Sequence, residues 1–254
     1  IVHVDGNINP KRDIETINLE LILADLEAID KRIEATKKKI KADKKYEEEL
    51  NILEKIKNAL EAGKSARTVV LNEEEQEKIK DVYLLTMKPI LYIANVSEEQ
   101  LTNPFEDQYV KQVVEYAKME NAEVIPLCVK IEEELASLDG NDKNEMLQAL
   151  GLEESGLNKV IKASYDLLGL MSFLTAGEQE VRAWTFKEGM TAPEMAGIIH
   201  SDFQRGFIKA ETYSFEDLVE YGSEHALKEA GKIRQEGKQY VGQDGDIMLF
   251  KFNV

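Results

Sequence analysis

An amide and a carboxylate follow the most apolar short run of the chain. Residues 90–94 read Ile-Leu-Tyr-Ile-Ala, and Asn95, Val96, Ser97 and Glu98 come directly after them. The apolar run predicts a strand of a parallel sheet that is buried on both faces. Ligands of such sheets bind beyond the carboxyl ends of the strands, so this loop is expected to contact a ligand.

The composition of this loop argues against a guanine ligand. Guanine-binding loops read Asn-Lys-x-Asp, and the Asp accepts hydrogen bonds from both the ring N–H and the exocyclic amine of the base. Here Val96 replaces the Lys and Glu98 replaces the Asp, and the longer Glu side chain would displace the paired acceptors. A guanine-specific pocket is therefore not expected. An ordinary turn, with Ser97 and Gln100 as a local capping pair, remains the alternative.

A second loop occupies the corresponding position after the next apolar run. Residues 124–129 predict a strand, and Cys128 and Val129 lie where a helix begins. This is again the position of a base-contacting loop in nucleotide-binding α/β domains. Cys128 is expected to be a buried small residue and not a nucleophile, because Lys130 is the only cationic residue near it in sequence.

Other chemically suggestive residues are assigned structural roles. Gly63 opens a Gly-Lys-Ser triplet, but Asn58 stands where a phosphate-binding loop needs its first glycine. Gly63 is therefore read as a helix stop, and no phosphate-binding loop is present. His200 and Asp202 are expected to form a capping pair, and Asp244 a turn. No catalytic or metal-binding residue is predicted.

The net charge of −17 argues against binding nucleic acid through a general positive surface. One basic run interrupts the acidity, and a basic tip on an acidic protein could dock on phosphate. The alternative is a solvated helix face. The candidate contact residues are Lys37, Lys38, Lys39, Lys41, Lys44 and Lys45.

The elements that position these residues follow from apolar spacing. Two lines of residues with alternating spacings of four and three predict two long helices, joined by the polar stretch 41–45 into an antiparallel hairpin with the basic run at its tip. Gly63 should end the second helix, and a third should run from Asn72 to about Leu85. The two lines are Ile22, Leu26, Ile29, Ile33, Thr36 and Ile40, then Tyr46, Leu50, Leu53, Lys57 and Leu60.

Strand and helix patterns alternate after the hairpin. A strand at 90–94, a helix from Asn103 to about Glu120, a strand at 124–129 and a helix at 132–138 predict an α/β unit with a parallel sheet. Ile1–Val4 predicts an earlier strand, so the hairpin interrupts this unit. The last part of the chain, from Met171, predicts a separate small α+β domain. Its predicted strands are a pair at Ser172–Ala176 and Val181–Phe186, a third at Phe207–Tyr213 and a last at Ile247–Phe252.

Composition excludes several classes of protein. The single Cys128 excludes a disulfide framework and fits a reducing cytosol. No apolar run reaches the length of a membrane span. The start of the chain reads like the middle of a domain, so we expect upstream sequence to be missing.

Several segments resemble the YchF/Obg-like ATPase family, which is a branch of the Obg-related translation-factor NTPases. The resemblance covers essentially the whole chain. Its most specific segments are 13–27 (DIETINLELILADLE), 88–98 (KPILYIANVSE), 173–185 (FLTAGEQEVRAWT), 191–203 (TAPEMAGIIHSDF) and 237–246 (GKQYVGQDGD).

The resemblance implies an α/β P-loop NTPase-type domain, present in part, interrupted by a helical coiled-coil hairpin and followed by a C-terminal TGS domain with an α+β, ubiquitin-like fold. The expected divisions are 1–21 for a remnant of the nucleotide-binding domain, 22–86 for the coiled-coil insertion, 87–138 for the rest of the nucleotide-binding domain, 139–170 for a helical connector and 171–254 for the TGS domain.

The resemblance also implies ATP binding in preference to GTP, ATP hydrolysis with Mg²⁺ in the full-length protein, ribosome association and a cytoplasmic location. Asn95 and Glu98 match the family's Asn-x-x-Glu base loop. The family's phosphate-binding loop, switch regions and Asp-x-x-Gly element have no match in these residues, so the chain alone is not expected to hydrolyse ATP or to bind ATP and Mg²⁺ tightly.

Two other functions remain open. The basic run and the separate terminal domain would also suit a non-catalytic ribosome- or RNA-binding adaptor. Another protein with a TGS domain, such as a tRNA synthetase or a stringent-response enzyme, is a remoter alternative, since no catalytic signature of either is visible. No membrane partner and no specific DNA partner are expected.

Overall fold

The computed structural model describes residues 7–177 and 180–253. The chain divides into two compact units, residues 1–161 and 162–254, which are described separately. The strand predicted at Ile1–Val4 lies outside the described residues. Within the described ranges, none of the helices combines the length and the apolar character that a membrane span requires.

The first unit contains a long helical hairpin and a two-stranded sheet with its covering helices. Its elements are α1 (Pro10–Ile40), α2 (Glu47–Glu61), α3 (Glu73–Lys78), β1 (Leu91–Asn95), α4 (Gln108–Met119), β2 (Glu123–Leu127), α5 (Val129–Ala136), α6 (Gly140–Ala149) and the start of α7 (Gly156–Leu168). Short 3₁₀ turns occur at Lys44–Tyr46, Ala66–Thr68, Leu85–Met87, Glu98–Gln100 and Pro104–Glu106.

Helix α1 begins at a local cap and runs unbroken to the tip of the hairpin. The Asn9 side chain accepts from the Arg12 N–H (3.1 Å), and Pro10 occupies the first helical position, where its missing N–H costs nothing. Helix α2 returns antiparallel to α1, because Lys57 pairs with Asp30 (2.6 Å) far from the turn and Thr36 bonds to Glu49 (3.1 Å) near it. Helix α1 is continuous across position 22, where the insertion was expected to begin.

The hairpin core follows the first predicted line more closely than the second. Ile29, Leu53 and Ile56 are fully buried. The second line was wrong at Lys57: apolar Ile52 and Ile56 face α1, and the Lys57 ammonium reaches Asp30. Leu26, Ile40, Tyr46 and Leu50 are only partly buried.

Asp25 is the unexpected buried residue of the hairpin. Its side chain lies in the core, where its two carboxylate oxygens accept from the backbone N–H groups of Leu85 and Thr86, both at 2.7 Å. These bonds satisfy a carboxylate that would otherwise be costly to bury. They also attach the segment that leads into β1 to the side of α1.

Helix α3 is much shorter than predicted. Asn72 and Glu75 form the expected capping box, but α3 ends at Lys78 and not near Leu85. None of its residues is buried, so it lacks the apolar stripe that stabilises a longer surface helix. The irregular segment that follows is held by its own buried residues, Ile79 and Leu84.

Strands β1 and β2 are parallel, in register from Leu91 opposite Glu123 to Asn95 opposite Leu127, with α4 between them in the chain. This confirms the predicted parallel α/β unit. Burial on both faces was wrong for the described residues: Ile93 is 52% exposed, so no described element fully covers the face of β1 to which its side chain points.

Helix α4 also begins later than predicted. Pro104–Glu106 forms only a 3₁₀ turn. Asp107 is the true cap, since its carboxylate accepts from the N–H groups of Tyr109 (2.7 Å) and Val110 (3.1 Å). These bonds, with that to Val110 as the largest cause, lower the pKa of Asp107. The Asn-Pro sequence does not distinguish the two helix types, because Pro suits the first turn of either.

The second unit is a five-stranded mixed sheet in the order β4-β3-β7-β5-β6, with small helices around it. Strands β3 and β4 pair, as predicted, and they are antiparallel; Phe173, Phe186, Met195 and Met248 are buried in the core of this unit. Its elements are β3 (Leu170–Ala176), β4 (Val181–Lys187), α8 (Ala192–Ile199), α9 (Ser201–Arg205), β5 (Phe207–Tyr213), α10 (Phe215–Tyr221), α11 (Glu224–Glu229), β6 (Arg234–Glu236) and β7 (Ile247–Phe252).

Candidate functional site

The two loops chosen from the sequence lie side by side. Because β1 and β2 are parallel, their carboxyl ends meet at one edge of the sheet. The Val96 N–H donates to the Leu127 carbonyl (2.9 Å). The Val129 N–H donates to Oδ1 of Asn95 (3.2 Å). The Asn95 side chain therefore joins the loop after β1 to the loop after β2.

The first loop has the local capping pair that the sequence left open. The Ser97 N–H donates to Oε1 of Gln100 (2.8 Å), and Nε2 of Gln100 donates to Asp107 (2.7 Å). This pair supports the backbone of the turn and leaves the Glu98 carboxylate exposed to solvent. The capping interpretation and a ligand-contacting role are thus compatible.

The second loop is buried at Cys128 and exposed at the two residues that follow. Cys128 packs in a cluster with Ile131 and Leu135, which confirms that it is a buried small residue. Val129 is 54% exposed, and Lys130 is exposed beside it. The loop thus offers an apolar side chain and a backbone turn to a ligand.

Both loops line one open groove of about 1040 Å³. All six residues predicted at the two loops border it, and Ala149 and Leu150 from the end of α6 add a further wall. The charged lining residues are Glu98, Glu99, Lys130 and Glu133. A groove with apolar walls and several carboxylates suits a flat ligand that presents N–H donors.

The sequence gives no indication of the walls that α6 contributes. Ala149 and Leu150 carry no chemically distinctive side chain, and they reach the groove because α6 packs beside Cys128 through Leu147. Glu133 could have been suspected, since it lies one helical turn after Val129 on the same helix.

The six candidate lysines form a separate surface at the tip of the hairpin. All six are exposed. Lys37 pairs with Glu54 (3.4 Å) and Lys45 pairs with Asp43 (3.0 Å). Within the part of the chain that the structure describes, the other four have no carboxylate partner: Lys38, Lys39, Lys41 and Lys44.

Local bonds shape this tip. The Asp43 side chain accepts from the Lys45 N–H (3.0 Å), and this bond, followed by the Lys45 ammonium, lowers the pKa of Asp43. The ammonium groups of Lys39 and Lys45 each lie 5.2 Å from the centre of the Tyr46 ring. The last turn of α1 is basic, which also suits the negative end of the helix dipole.

The structural roles assigned to other residues hold. Nδ1 of His200 accepts from the Asp202 N–H (3.2 Å), as expected of a cap. Gly63 follows α2 with a positive φ of 72°, and Asp244 accepts from the Ser172 N–H (2.7 Å) at a turn. Across residues 7–177 and 180–253, no three His, Cys, Asp or Glu side chains are grouped to hold a metal ion.

Comparison with known proteins identifies relatives over the whole chain. The family model YchF-GTPase_C, described as a protein of unknown function (DUF933), matches residues 170–253. A Bacillus subtilis protein named Ribosome-binding ATPase YchF is 57% identical over 100% of this chain and 70% of its own length. The protein of the same name from Escherichia coli O157:H7 is 49% identical over 100% of this chain and 69% of its own length.

Two solved structures share the fold. The structure of the Schizosaccharomyces pombe YchF GTPase matches with a TM-score of 0.86 and 34% identity, over 99% of this chain and 68% of that one. A GTP-binding protein from Pyrococcus horikoshii matches with a TM-score of 0.58 and 19% identity, over 95% of this chain and 71% of that one. The second match concerns the fold alone.

Proposed function

The chain belongs to the YchF family, and we propose from this premise that its two clustered loops hold the base of ATP. The observation that carries the proposal is the hydrogen bond from the Val129 N–H to Oδ1 of Asn95 (3.2 Å), which draws the loops into one groove. The proposed base site consists of Asn95, Val96, Ser97, Glu98, Cys128 and Val129.

The same hydrogen bond supports a preference for adenine over guanine. Guanine carries a carbonyl oxygen at the position where adenine carries an amine, so guanine needs a donor there. The Val129 N–H is already engaged by Asn95. The exposed Glu98 carboxylate accepts hydrogen bonds but cannot donate them when ionised. A 6-amino purine therefore matches this groove better than a 6-oxo purine.

Calorimetric titration of the complete gene product with ATP and with GTP tests this proposal. We expect the wild-type protein to bind ATP more tightly. Glu98→Gln should weaken ATP binding by about tenfold, because a charge-assisted hydrogen bond contributes about 1.5–3 kcal/mol and the site is partly open to water. The neighbouring carboxylate gives a matched control, since Glu99→Gln removes the same charge from the same groove.

Two results would count against the proposal. Tighter binding of GTP than of ATP by the wild-type protein would contradict the adenine assignment. Equal losses in the Glu98→Gln and Glu99→Gln proteins would show that the groove responds to its net charge and not to a hydrogen bond that Glu98 accepts from the base.

We propose that the complete protein hydrolyses ATP, because relatives at 57% and 49% identity are named ribosome-binding ATPases. The base site supplies recognition only, and none of its side chains is proposed as an acid, base or nucleophile. Magnesium is implied for this reaction. Among the described residues, no three His, Cys, Asp or Glu side chains are grouped to hold it, and we derive no step through the metal.

We further propose that residues 22–86 are a coiled-coil insertion between 1–21 and 87–138 of the nucleotide-binding domain, with 139–170 as a connector. Residues 171–254 are proposed as the ubiquitin-like TGS domain. The packed hairpin and the mixed sheet with α8 against it support these assignments.

The ribosome is the proposed partner, as in the names of the relatives, and the cytoplasm is the proposed compartment. We assign the contact with ribosomal RNA to the lysines at the hairpin tip, because exposed ammonium groups attract phosphate. A non-catalytic adaptor would use the same tip. ATP binding by the complete protein distinguishes the two functions.

A further inference from the structure

A contact between α5 and α7 supports the second loop of the base groove. The Glu132 carboxylate, on α5, accepts from the N–H groups of Gly156 (2.7 Å) and Leu157 (3.1 Å), which are the first two residues of α7. Ser155 already caps α7, since its hydroxyl accepts from the Asn158 N–H (3.2 Å). Glu132 is therefore an additional acceptor, supplied by a different helix.

Gly156 makes this contact possible because it lies very close to the second loop. A Cβ atom at Gly156 would stand 2.7 Å from Cβ of Leu127 and 3.0 Å from Oε1 of Glu132. The nearer atom is the first carbon of the Leu127 side chain, and it cannot rotate away because it is bonded directly to the backbone. The close approach, and not an unusual backbone angle, thus requires glycine at this position.

Leu127 is the residue on which both loops of the groove depend. It is the last residue of β2, it is buried, and its carbonyl accepts from the Val96 N–H (2.9 Å) of the first loop. Cys128 and Val129 follow it directly. A displacement of Leu127 would therefore move both sides of the proposed base site at once.

We propose that Glu132 and Gly156 are positioning residues for the base groove. This inference rests on the proposed function. Neither residue lines the groove, so both act through Leu127 and the start of α5. Their contact fixes the position of the second loop relative to the first, and it keeps the Val129 N–H within hydrogen-bond distance of Asn95.

The test uses the complete gene product and compares ATP with inorganic tripolyphosphate, which has no base. In Gly156→Ala the added methyl group displaces Leu127. We expect ATP to bind about tenfold or more weakly, since small misplacements of a positioned group cost one to two orders of magnitude, while tripolyphosphate binding stays unchanged. Glu132→Ala should behave in the same way, and Glu132→Gln, which keeps one acceptor oxygen, should recover part of the loss.

Matched controls exist in the same part of the chain. Gly140→Ala adds the same methyl group where nothing lies within 4 Å, and Glu123→Gln removes a charge from an exposed position at the start of β2, the end of the strand away from the groove. Both controls should bind ATP like the wild-type protein. Thermal unfolding of each variant reports whether it is folded, and Glu132→Gln provides a mild change if Gly156→Ala does not fold.

The outcomes separate this inference from the function on which it rests. Wild-type protein that binds ATP no better than tripolyphosphate would overturn the base site itself. A wild-type preference for ATP that persists undiminished in folded Gly156→Ala and Glu132→Ala proteins would overturn only the positioning role. Equal losses for ATP and tripolyphosphate would also overturn it, because they indicate general destabilisation.

Discussion

The stem and the tip of the helical hairpin are built in opposite ways. In the stem, Ile29, Leu53 and Ile56 are wholly removed from solvent. At the tip, the six candidate lysines are exposed and only partly paired. Buried apolar area stabilises a fold, whereas exposed ion pairs contribute little. The stem therefore stabilises the hairpin, and the residues at the tip can be substituted without loss of the fold.

The largest effect is expected from a cavity in the stem. Leu53→Ala should lower the free energy of unfolding by about 2–5 kcal/mol, because it removes buried methyl groups and leaves a void. Urea denaturation measures the loss. Leu50→Ala removes the same atoms at a partly buried position and should cost clearly less. Equal costs at the two positions would contradict the description of the stem.

The stem also shows what apolar spacing can and cannot predict. Spacings of three and four placed Ile29, Leu53 and Leu60 correctly in the core. The same rule placed Lys57 there, because spacing alone does not distinguish a long polar side chain from an apolar one. Asp25 could not be predicted as buried, since its partners are backbone groups of Leu85 and Thr86, about sixty residues further along the chain.

A buried carboxylate in the stem gives the second prediction. Glu49 accepts from Nε of Arg32 (2.8 Å) and from the Thr36 hydroxyl (3.1 Å). Glu49→Ala should cost about 1–3 kcal/mol, because it leaves the Thr36 hydroxyl and part of the Arg32 guanidinium unsatisfied. Arg32 keeps its contact with Asp81 (3.1 Å), which limits the loss.

The matched control for Glu49 lies nearer the outside of the same helix. Glu54 makes an exposed pair with Lys37, so Glu54→Ala should change the stability by less than about 1 kcal/mol. Thermal or urea unfolding of the two variants measures the difference. A loss at Glu54 as large as that at Glu49 would show that burial does not separate the two ion pairs.

In the groove and in the second unit, the sequence also predicts some elements and fails to predict others. Strands β5 and β7 have the predicted bounds, Phe207–Tyr213 and Ile247–Phe252, because both are short runs rich in aromatic and β-branched residues. Strand β6 was missed: its three polar residues form a strand only through pairing with β5. The two groove loops were predicted for the same reason as β5 and β7, since each follows a clear apolar strand. The support from Glu132 and Gly156 depends on tertiary contact and leaves no pattern in the sequence.

The smallest effect on stability is expected at the tip, together with a clear effect on binding. The triple variant Lys38→Gln, Lys41→Gln and Lys44→Gln should change the unfolding free energy by less than about 0.5 kcal/mol, because exposed positions away from special contacts are tolerant. If the tip contacts ribosomal RNA, the association of the variant with ribosomes should weaken. The slope of the logarithm of the binding constant against the logarithm of the salt concentration should become less negative by about two.

The control for the tip removes the same number of charges elsewhere. Lys64, Lys118 and Lys159 are exposed in the first unit, and their replacement by Gln lowers the net charge equally. Co-sedimentation with ribosomes at several salt concentrations compares the two triple variants. A specific contact at the tip requires the first variant to lose more affinity than the second. Equal losses would mean that ribosomes respond to the overall charge of the protein. An unchanged salt dependence in the first variant would show that the tip does not contact the ribosome, and the stem prediction would still hold.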